Sequence, residues 1–209
     1  MQSATKSAIV VTTLVLTAGC GGRSALMPPR IDLAAFQRIG LVEFTSNADG
    51  DLESLASREF IQNLQSSQPG VPVLELGDSR AVLAAVGRDQ IDPEAIRALG
   101  QTYHVDAVIV GDLAVTEVKP KVDITQVFTA ASVQADVEAA LTTRILDAES
   151  GATLWTRSAR SQQSVANAGL DADGGFHLET RDPEAAYGSL VQSLVHNVTE
   201  DFRPYWVKQ

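Results

Sequence analysis

The sequence has one cysteine in 209 residues, few aromatic side chains (5%) and fewer basic than acidic residues (16 Lys+Arg against 26 Asp+Glu). A single cysteine excludes an internal disulfide and a thiolate metal site. The net charge of −10 argues against a nucleic-acid-binding protein, which needs a basic face to neutralise phosphates. The hydrophobic fraction of 44% is too high for a disordered chain, so the composition indicates one folded, acidic domain.

Long hydrophobic runs and catalytic motifs are also missing. No run reaches the roughly 18 apolar residues of a membrane-spanning helix. The chain contains no G-x-S-x-G nucleophile elbow, no H-E-x-x-H zinc motif and no glycine-rich phosphate loop. Its histidines, His104, His177 and His196, stand far apart at a predicted helix end, in a loop and on a polar helix face. We therefore expect a protein that is not an enzyme and uses no metal or cofactor.

One acidic segment, residues 171–175 (DADGG), resembles the start of a calcium-binding loop. The EF-hand pattern would continue with a further ligand, a glycine and a glutamate, where this chain has Gly175, Phe176 and Asp182. We interpret the segment as an acidic loop rather than a calcium site.

The first twenty residues have the layout of a lipoprotein signal peptide. Lys6 is the one charged residue among residues 1–19, and residues 8–17 form a short apolar run followed by small residues. Residues 16–20 (LTAGC) resemble the bacterial lipobox, in which the peptidase cuts before a cysteine that then carries fatty acids such as palmitate. Thr17 stands where that motif usually has leucine.

This resemblance implies a signal peptide over residues 1–19 and lipid attachment at Cys20. The alternative is ordinary secretion, which would leave Cys20 as an unpaired thiol in an oxidising compartment. In enteric bacteria an aspartate after the cysteine is the inner-membrane retention signal, so Gly21 favours the outer membrane. The mature chain would carry a net charge of −11, so its attachment to the membrane is expected to come from the lipid.

We expect a tether at residues 20–35, which contain Gly-Gly and Pro-Pro, and a single domain at residues 36–209. Hydrophobic periodicity in that domain predicts the order β-α-β-α-α-β, then a long antiparallel hairpin, then a helix. The fold class is α/β, with a mixed sheet, early βαβ units and helices packed on the sheet. Predicted strands cover residues 38–44, 71–76, 106–111, 133–145 and 153–162. Predicted helices begin after Asp51, Asp78, Asp92 and Asp182, and a loop is expected at about 166–181. Pro204 is expected to end the last of these helices.

The chain ends with a pair of aromatic residues, Tyr205 and Trp206, after Pro204. One interpretation is that they cover the end of the hydrophobic core. The other is that they anchor a partner, since exposed aromatic residues are enriched at interfaces.

Three segments resemble a superfamily of bacterial envelope proteins that includes CsgG, the lipoproteins that activate penicillin-binding proteins, and the N-terminal domain of TolB. They are residues 39–44 (IGLVEF), residues 105–111 (VDAVIVG) and residues 144–155 (RILDAESGATLW). Glu43 replaces the usual proline of the first segment, and Ser150 replaces the usual threonine of the third. The resemblance implies a role in protein–protein assembly in the envelope and supplies no catalytic residues.

The resemblance leaves two functions open. The first is a non-enzymatic outer-membrane lipoprotein that faces the periplasm, binds an envelope protein and can form homo-oligomers. The alternative is a subunit of a CsgG-like secretion channel, which needs two inserted hairpins. The candidate insertions are residues 118–133, which contain Lys119-Pro120-Lys121, and residues 165–181, which are rich in Gly and Asp. Both are short or weakly patterned for spanning strands of about 9–11 residues, so we expect no pore. An envelope enzyme is a third, less favoured alternative.

Overall fold

The computed structural model describes residues 24–48, 51–116, 119–123, 132–170, 176–180 and 183–208. The strands are β1 (Ser24–Met27), β2 (Ile39–Val42), β3 (Thr45–Ser46), β4 (Val73–Gly77), β5 (Ala107–Val115), β6 (Lys119–Asp123), β7 (Ser132–Asp147), β8 (Thr153–Leu170), β9 (Phe176–Thr180) and β10 (Tyr205–Lys208). The helices are α1 (Leu52–Ser67), α2 (Ser79–Ala85), α3 (Pro93–Tyr103) and α4 (Pro183–Val198). Two 3-10 turns occupy Leu33–Ala35 and Glu200–Phe202.

The main sheet combines parallel and antiparallel strands, as the sequence predicts. Its order is β4-β2-β5-β7-β8-β9, while β3 pairs with β5 and β6 pairs with β7. Strand β2 is parallel to both β4 and β5, and every pairing from β5 to β9 is antiparallel. The predicted mixed α/β fold is confirmed. Strand β4 lies at the edge of the sheet, which agrees with Pro72 immediately before it.

Aspartates start the helices by local hydrogen bonding. The carboxylate of Asp78 accepts from the Ala81 backbone N–H at 2.9 Å, and that of Asp92 accepts from the Ala95 N–H at 2.7 Å. Asp51 occupies the N-cap of α1 without a side-chain capping bond. These caps satisfy backbone donors that have no partner inside the helix, so the chain leaves each loop at a defined residue.

Helices cover both faces of the sheet, so the central strands are apolar on both sides. In β5, Ala107 and Ile109 pack with α1 and α4, whereas Val108 and Val110 belong to the cluster formed with α2 and α3. A strand buried on both faces reads as a continuous apolar run, which is why residues 106–111 were recognisable from the sequence.

Aromatic side chains fill the larger of the two core layers. The ring of Phe60 lies between Phe44 and Phe202, with centroid distances of 5.3 Å and 6.1 Å and edge-on geometry. Trp155 completes the row at 4.9 Å from Phe202. Four aromatic residues from β8, α1, the end of β2 and the C-terminal 3-10 turn thus pack as one cluster, and it ties the end of the chain to the sheet.

The predicted loop at residues 166–181 is wrong over much of its length. Strand β8 continues to Leu170 and pairs with β9, with Ala166 opposite Thr180 and Leu170 opposite Phe176. In the region of residues 118–133, β6 pairs with the first part of β7. Glycine and aspartate lower strand propensity, but a neighbouring strand that supplies backbone partners overrides that preference.

Two further boundaries differ from the sequence prediction. Helix α4 ends at Val198, before Pro204, because Thr199 donates its hydroxyl hydrogen to the Val195 carbonyl at 2.7 Å and a 3-10 turn follows. Residues 24–35, which belong to the segment predicted as a tether, include β1 and a 3-10 turn. Leu33 is fully buried in that turn because its side chain joins the aromatic layer of the core.

In the described part of the chain, no helix is both long enough and apolar enough to cross a membrane.

The contact between Gly111 and Phe44 provides a test of the core. A Cβ atom at Gly111 would lie 2.5 Å from Cδ1 of Phe44, too close for any side chain. We expect Gly111→Ala to lower the free energy of unfolding by about 2 kcal/mol, since overpacking displaces the buried ring. Urea unfolding of the purified protein measures this change.

Gly188→Ala is the matched control for that experiment. Gly188 lies within α4 and has no heavy atom within 4 Å of an added Cβ. The helix propensity of alanine should then raise the free energy of unfolding by about 1 kcal/mol. The essential result is that the two substitutions change the free energy of unfolding in opposite directions, and a neutral Gly111→Ala would contradict the packing described above.

Candidate functional site

A cleft opens where the parallel strands β2 and β5 end. From β2 the chain passes through α1 on one face to β4, and then returns through α2 and α3 on the other face to β5. The first connection leads from β2 to β4 on one side of it, and the second crosses back to β5 on the other side of β2, which makes a topological switch point between β2 and β5. Ligands of α/β proteins bind at the carboxyl ends of strands at such points. The fold therefore creates a recess here before any side chain is considered.

Charged and hydroxyl side chains line this recess, whose volume is about 460 Å³. Glu43 and Asp112 provide carboxylates, and Arg144 provides a guanidinium group. Asp112 accepts a hydrogen bond from Thr45 Oγ1 at 2.9 Å, and Glu43 accepts one from the Ser54 hydroxyl. The remaining lining residues are Val42, Ser79, Ile91, Val110, Gly111 and Thr142.

The chemistry of the cleft suits binding. Nucleophilic catalysis needs a hydroxyl or thiol beside a general base that a third group orients. The hydroxyls of Thr45 and Ser54 instead donate to carboxylates, and the lining residues include no histidine, cysteine or lysine. Opposite charges and hydroxyls on a partly apolar wall can recognise a polar group of a ligand or partner.

A second feature is a junction centred on Asp201, which joins three distant parts of the chain. Its carboxylate accepts hydrogen bonds from Trp155 Nε1 at 3.1 Å and from Arg30 Nη1 at 3.1 Å. It also pairs with Arg157 Nη1 at 2.7 Å. The backbone carbonyl of Asp201 accepts from the N–H groups of Arg30 and Ile31. We refer to this arrangement as the Asp201 junction.

Electrostatics at the junction favour the ionised carboxylate. Burial by itself raises the pKa of Asp201, but hydrogen bonds from Arg157, Trp155 and Arg30, together with the charge of Arg157, hold that pKa below its ordinary value. The pKa of Arg30 is raised, chiefly by its hydrogen bond to Asp201. The folded state therefore keeps this aspartate charged to a lower pH than an unfolded chain does.

Gln68 reinforces the same contact between the two ends of the domain. Its amide nitrogen donates to the carbonyls of Ile31 at 2.6 Å and Phe202 at 3.1 Å, and its carbonyl oxygen accepts from the Leu33 N–H at 2.8 Å. One side chain at the end of α1 thus satisfies backbone groups from both terminal segments.

A third feature is a two-stranded ribbon formed by β1 and β10, which we call the ribbon. The strands are antiparallel and pair Leu26 with Trp206 and Met27 with Tyr205. Trp206 is 67% exposed and Leu26 is 55% exposed. The guanidinium carbon of Arg30 lies 5.1 Å from the ring centroid of Tyr205, a cation–π contact.

The ribbon tests the interpretation that the terminal aromatic pair covers the end of the core, whereas a role as a partner anchor stays a prediction. Trp206 is largely exposed, so the interpretation that it covers the core is wrong for this residue, whereas Tyr205 is only half-buried. The burial at the end of the core is supplied by Phe202 and Trp155 instead. Sequence reasoning missed the ribbon because its two strands lie at opposite ends of the domain.

The other residues singled out in the sequence lie apart or outside the described residues. Cys20 and residues 171–175 lie outside them. His104 caps α3 with a left-handed backbone (φ 54°), and His196 lies on the exposed side of α4. His177 belongs to β9 rather than to a loop. Within the part of the chain that the structure describes, no group of three or more His, Cys, Asp or Glu side chains could hold a metal ion.

Comparison with known proteins gives similarities in structure only. No family model and no curated protein matches the sequence. A PelC dodecamer from Paraburkholderia phytofirmans is similar over 87% of this chain and 99% of that chain, with 15% identity and a TM-score of 0.43. Lipoprotein GNA1162 from Neisseria meningitidis matches 78% of this chain and 97% of that chain, with 17% identity and a TM-score of 0.41. The LpoB C-terminal domain from Salmonella enterica matches 61% and 83%, with 12% identity and a TM-score of 0.35. No family membership follows from these values, so the function is argued from the residues of this chain.

The Asp201 junction predicts a pH-dependent loss of stability. We expect Asp201→Asn to lower the free energy of unfolding by about 2 kcal/mol at neutral pH, because charge-assisted hydrogen bonds from two arginines are lost. The folded-state pKa is depressed, so this contribution is fully present above the unfolded pKa and is lost as the pH falls through the folded pKa. Unfolding curves over a pH series measure both effects.

Asp89→Asn is the control, because Asp89 is exposed on the loop after α2. This substitution should change stability by no more than about 0.5 kcal/mol. A gap between wild type and Asp201→Asn that stays constant down to strongly acidic pH would contradict the charge-based account.

Proposed function

We propose that this chain is a bacterial envelope lipoprotein without catalytic activity. Residues 1–19 are its signal peptide, and the lipidated Cys20 anchors it in the outer membrane with the folded domain in the periplasm. The observation that carries this proposal is the position of the cysteine. The chain has a single cysteine, it ends a lipobox-like sequence, and the first strand of the domain begins four residues later.

The proposed task of the domain is to bind another protein of the envelope. The cleft at the ends of β2 and β5 supports this task, because it presents charged and hydroxyl groups without a nucleophile–base pair. The net charge of −10 favours a partner with a basic surface, since complementary charge steers association. Recognition without catalysis fits a protein that assists assembly.

A specific observation also favours the second candidate, a secretion-channel subunit. Both segments that such a subunit would insert, residues 118–133 and 165–181, contain strands that pair with the long β7–β8 hairpin. Strands β6 and β9 have five residues each, fewer than the roughly 9–11 residues of a membrane-spanning strand. The pairing of these strands therefore favours the channel, whereas their length does not. Ring-shaped particles in negative-stain images of the detergent-extracted protein would support this candidate, and single domains would support the accessory lipoprotein.

Cys20→Ser tests the anchor. The variant should lose labelling by radioactive palmitate and should leave the membrane fraction in a carbonate wash, because the acidic domain then has no acyl chains to hold it. Ser24→Ala, which retains the cysteine, should stay labelled and membrane-bound. Mass spectrometry of the N-terminal peptide identifies the modification directly.

Each of the other outcomes selects a different function. A wild-type chain without acyl groups would support ordinary secretion. A Cys20→Ser protein that resists carbonate would show that protein segments are integrated in the membrane, which is the result expected of a channel subunit.

A further inference from the structure

We infer that the ribbon is a membrane-docking surface that rests on the lipid head groups beside the acylated cysteine. The inference deepens the proposed function and rests on lipidation at Cys20. The bilayer interface then covers the exposed apolar side chains of β1 and β10. The domain therefore keeps a fixed orientation on the membrane.

Exposed apolar side chains are concentrated on the ribbon. Among the side chains whose exposure the structure describes, which leaves out those of residues 117–135 and 165–186, six large hydrophobic residues are exposed, and four of them lie on β1 and β10. These four are Leu26, Met27, Trp206 and Val207; the other two, Leu74 and Leu154, lie on different strands. They divide between the two faces of the ribbon, Leu26 and Trp206 on one and Met27 and Val207 on the other. Exposed apolar side chains concentrated in one element mark a surface that another phase or molecule covers.

The register places the largest of these side chains together. Residues directly opposite in an antiparallel pair project to the same face, so Leu26 and Trp206 share one face of the ribbon. Met27 and Tyr205 occupy the other face, where Tyr205 also contacts Arg30. Tryptophan and tyrosine prefer the boundary between water and hydrocarbon, because each combines an apolar ring with a polar group.

The anchor lies within reach of this patch. Four peptide units join Cys20 to Ser24, the first residue of β1, and they span at most about 15 Å. A lipidated cysteine sits at the level of the head groups, so the ribbon cannot move far from the membrane. The first pair of the ribbon, Ser24 with Lys208, is its end nearest to the anchor along the chain.

The local charge also suits a bilayer surface. The ribbon itself, residues 24–27 and 205–208, carries one cation, the exposed Lys208, and no acidic residue, although the whole chain has a net charge of −10. Each basic residue close to an anionic leaflet contributes favourably to binding. The anionic leaflet repels the acidic remainder of the domain but not the ribbon. This difference turns the ribbon towards the membrane.

The ribbon can orient the domain because it is joined to the core. An isolated two-stranded ribbon is marginally stable in water. Here Arg30, just after β1, bonds to Asp201, and Asp201 in turn bonds to Trp155 in the core. Docking at β1 and β10 thus fixes the position of β8 and the sheet behind it.

Fluorescence of the lipidated full-length chain tests the inference. The chain has two tryptophans, and Trp155 is buried whereas Trp206 is exposed. The protein is reconstituted in vesicles of phosphatidylethanolamine and phosphatidylglycerol whose acyl chains are brominated near the head group. We expect the brominated lipid to quench the wild-type emission, and to leave unquenched the Trp206→Phe protein, which retains only Trp155. Wild-type emission that is quenched no more than that of Trp206→Phe overturns the proposal.

The unlipidated Cys20→Ser protein separates the ribbon from the anchor. It should partition weakly into the same vesicles, and adding Trp206→Ser should lower the partition coefficient about tenfold, because burial of one large apolar side chain is lost. Leu154→Ser is the control, since it removes an exposed leucine outside the ribbon and should change nothing. Unchanged thermal unfolding confirms that each variant is folded.

These measurements distinguish two failures. Absence of acyl groups in mass spectrometry contradicts the anchor, and the Cys20→Ser partition then decides the ribbon alone. Acylation with no effect of Trp206 or Leu26 substitutions on quenching or partition contradicts the ribbon alone. If the substitutions instead lower the mass that analytical ultracentrifugation gives for the protein, the exposed side chains of the ribbon join copies of this chain, and the docking proposal is wrong.

Discussion

The arrangement of the domain depends on the hydrogen bonds and ion pairs that the carboxylate of Asp201 makes. It holds the segment after β1, the start of β8 and the end of the chain in one place through Arg30, Trp155 and Arg157. The Phe44–Phe60–Phe202–Trp155 cluster packs directly behind it. A polar contact at the edge of an aromatic core fixes geometry that apolar packing alone leaves less specific, because hydrogen bonds are directional.

Much of the main sheet and its helices could be predicted because their signals are local. Alternation along β7 and the capping aspartates before α2 and α3 act within a few residues. Strand β9 and the continuation of β8 were missed, since their pairing depends on a partner strand rather than on the propensity of residues such as Gly169. The burial of Leu33 was missed for a similar reason, as its neighbours lie on α1 and at the C-terminus.

The candidate sites also differ in whether their residues are close together in the sequence. The proposed lipid attachment at Cys20 rests on a contiguous motif, so it stays a prediction from the sequence alone. The cleft combines Glu43, just after β2, with Asp112 of β5 and Arg144 of β7, so its composition follows from the switch point of the sheet and from the register of β5 with β7. The pairing of Leu26 with Trp206 joins residues from the two ends of the domain, and no periodicity in either segment reveals it.

The position of the ribbon has a mechanical consequence. A chain held by a lipid at Cys20 receives any pull on the domain through Ser24. The load passes first to the four residue pairs of β1 with β10 and then to the link between Arg30 and Asp201, before it reaches the main sheet. The ribbon and the link between Arg30 and Asp201 therefore lie between a lipid anchor at Cys20 and the main sheet, so they bear such a pull before the β7–β8 hairpin and the cleft do.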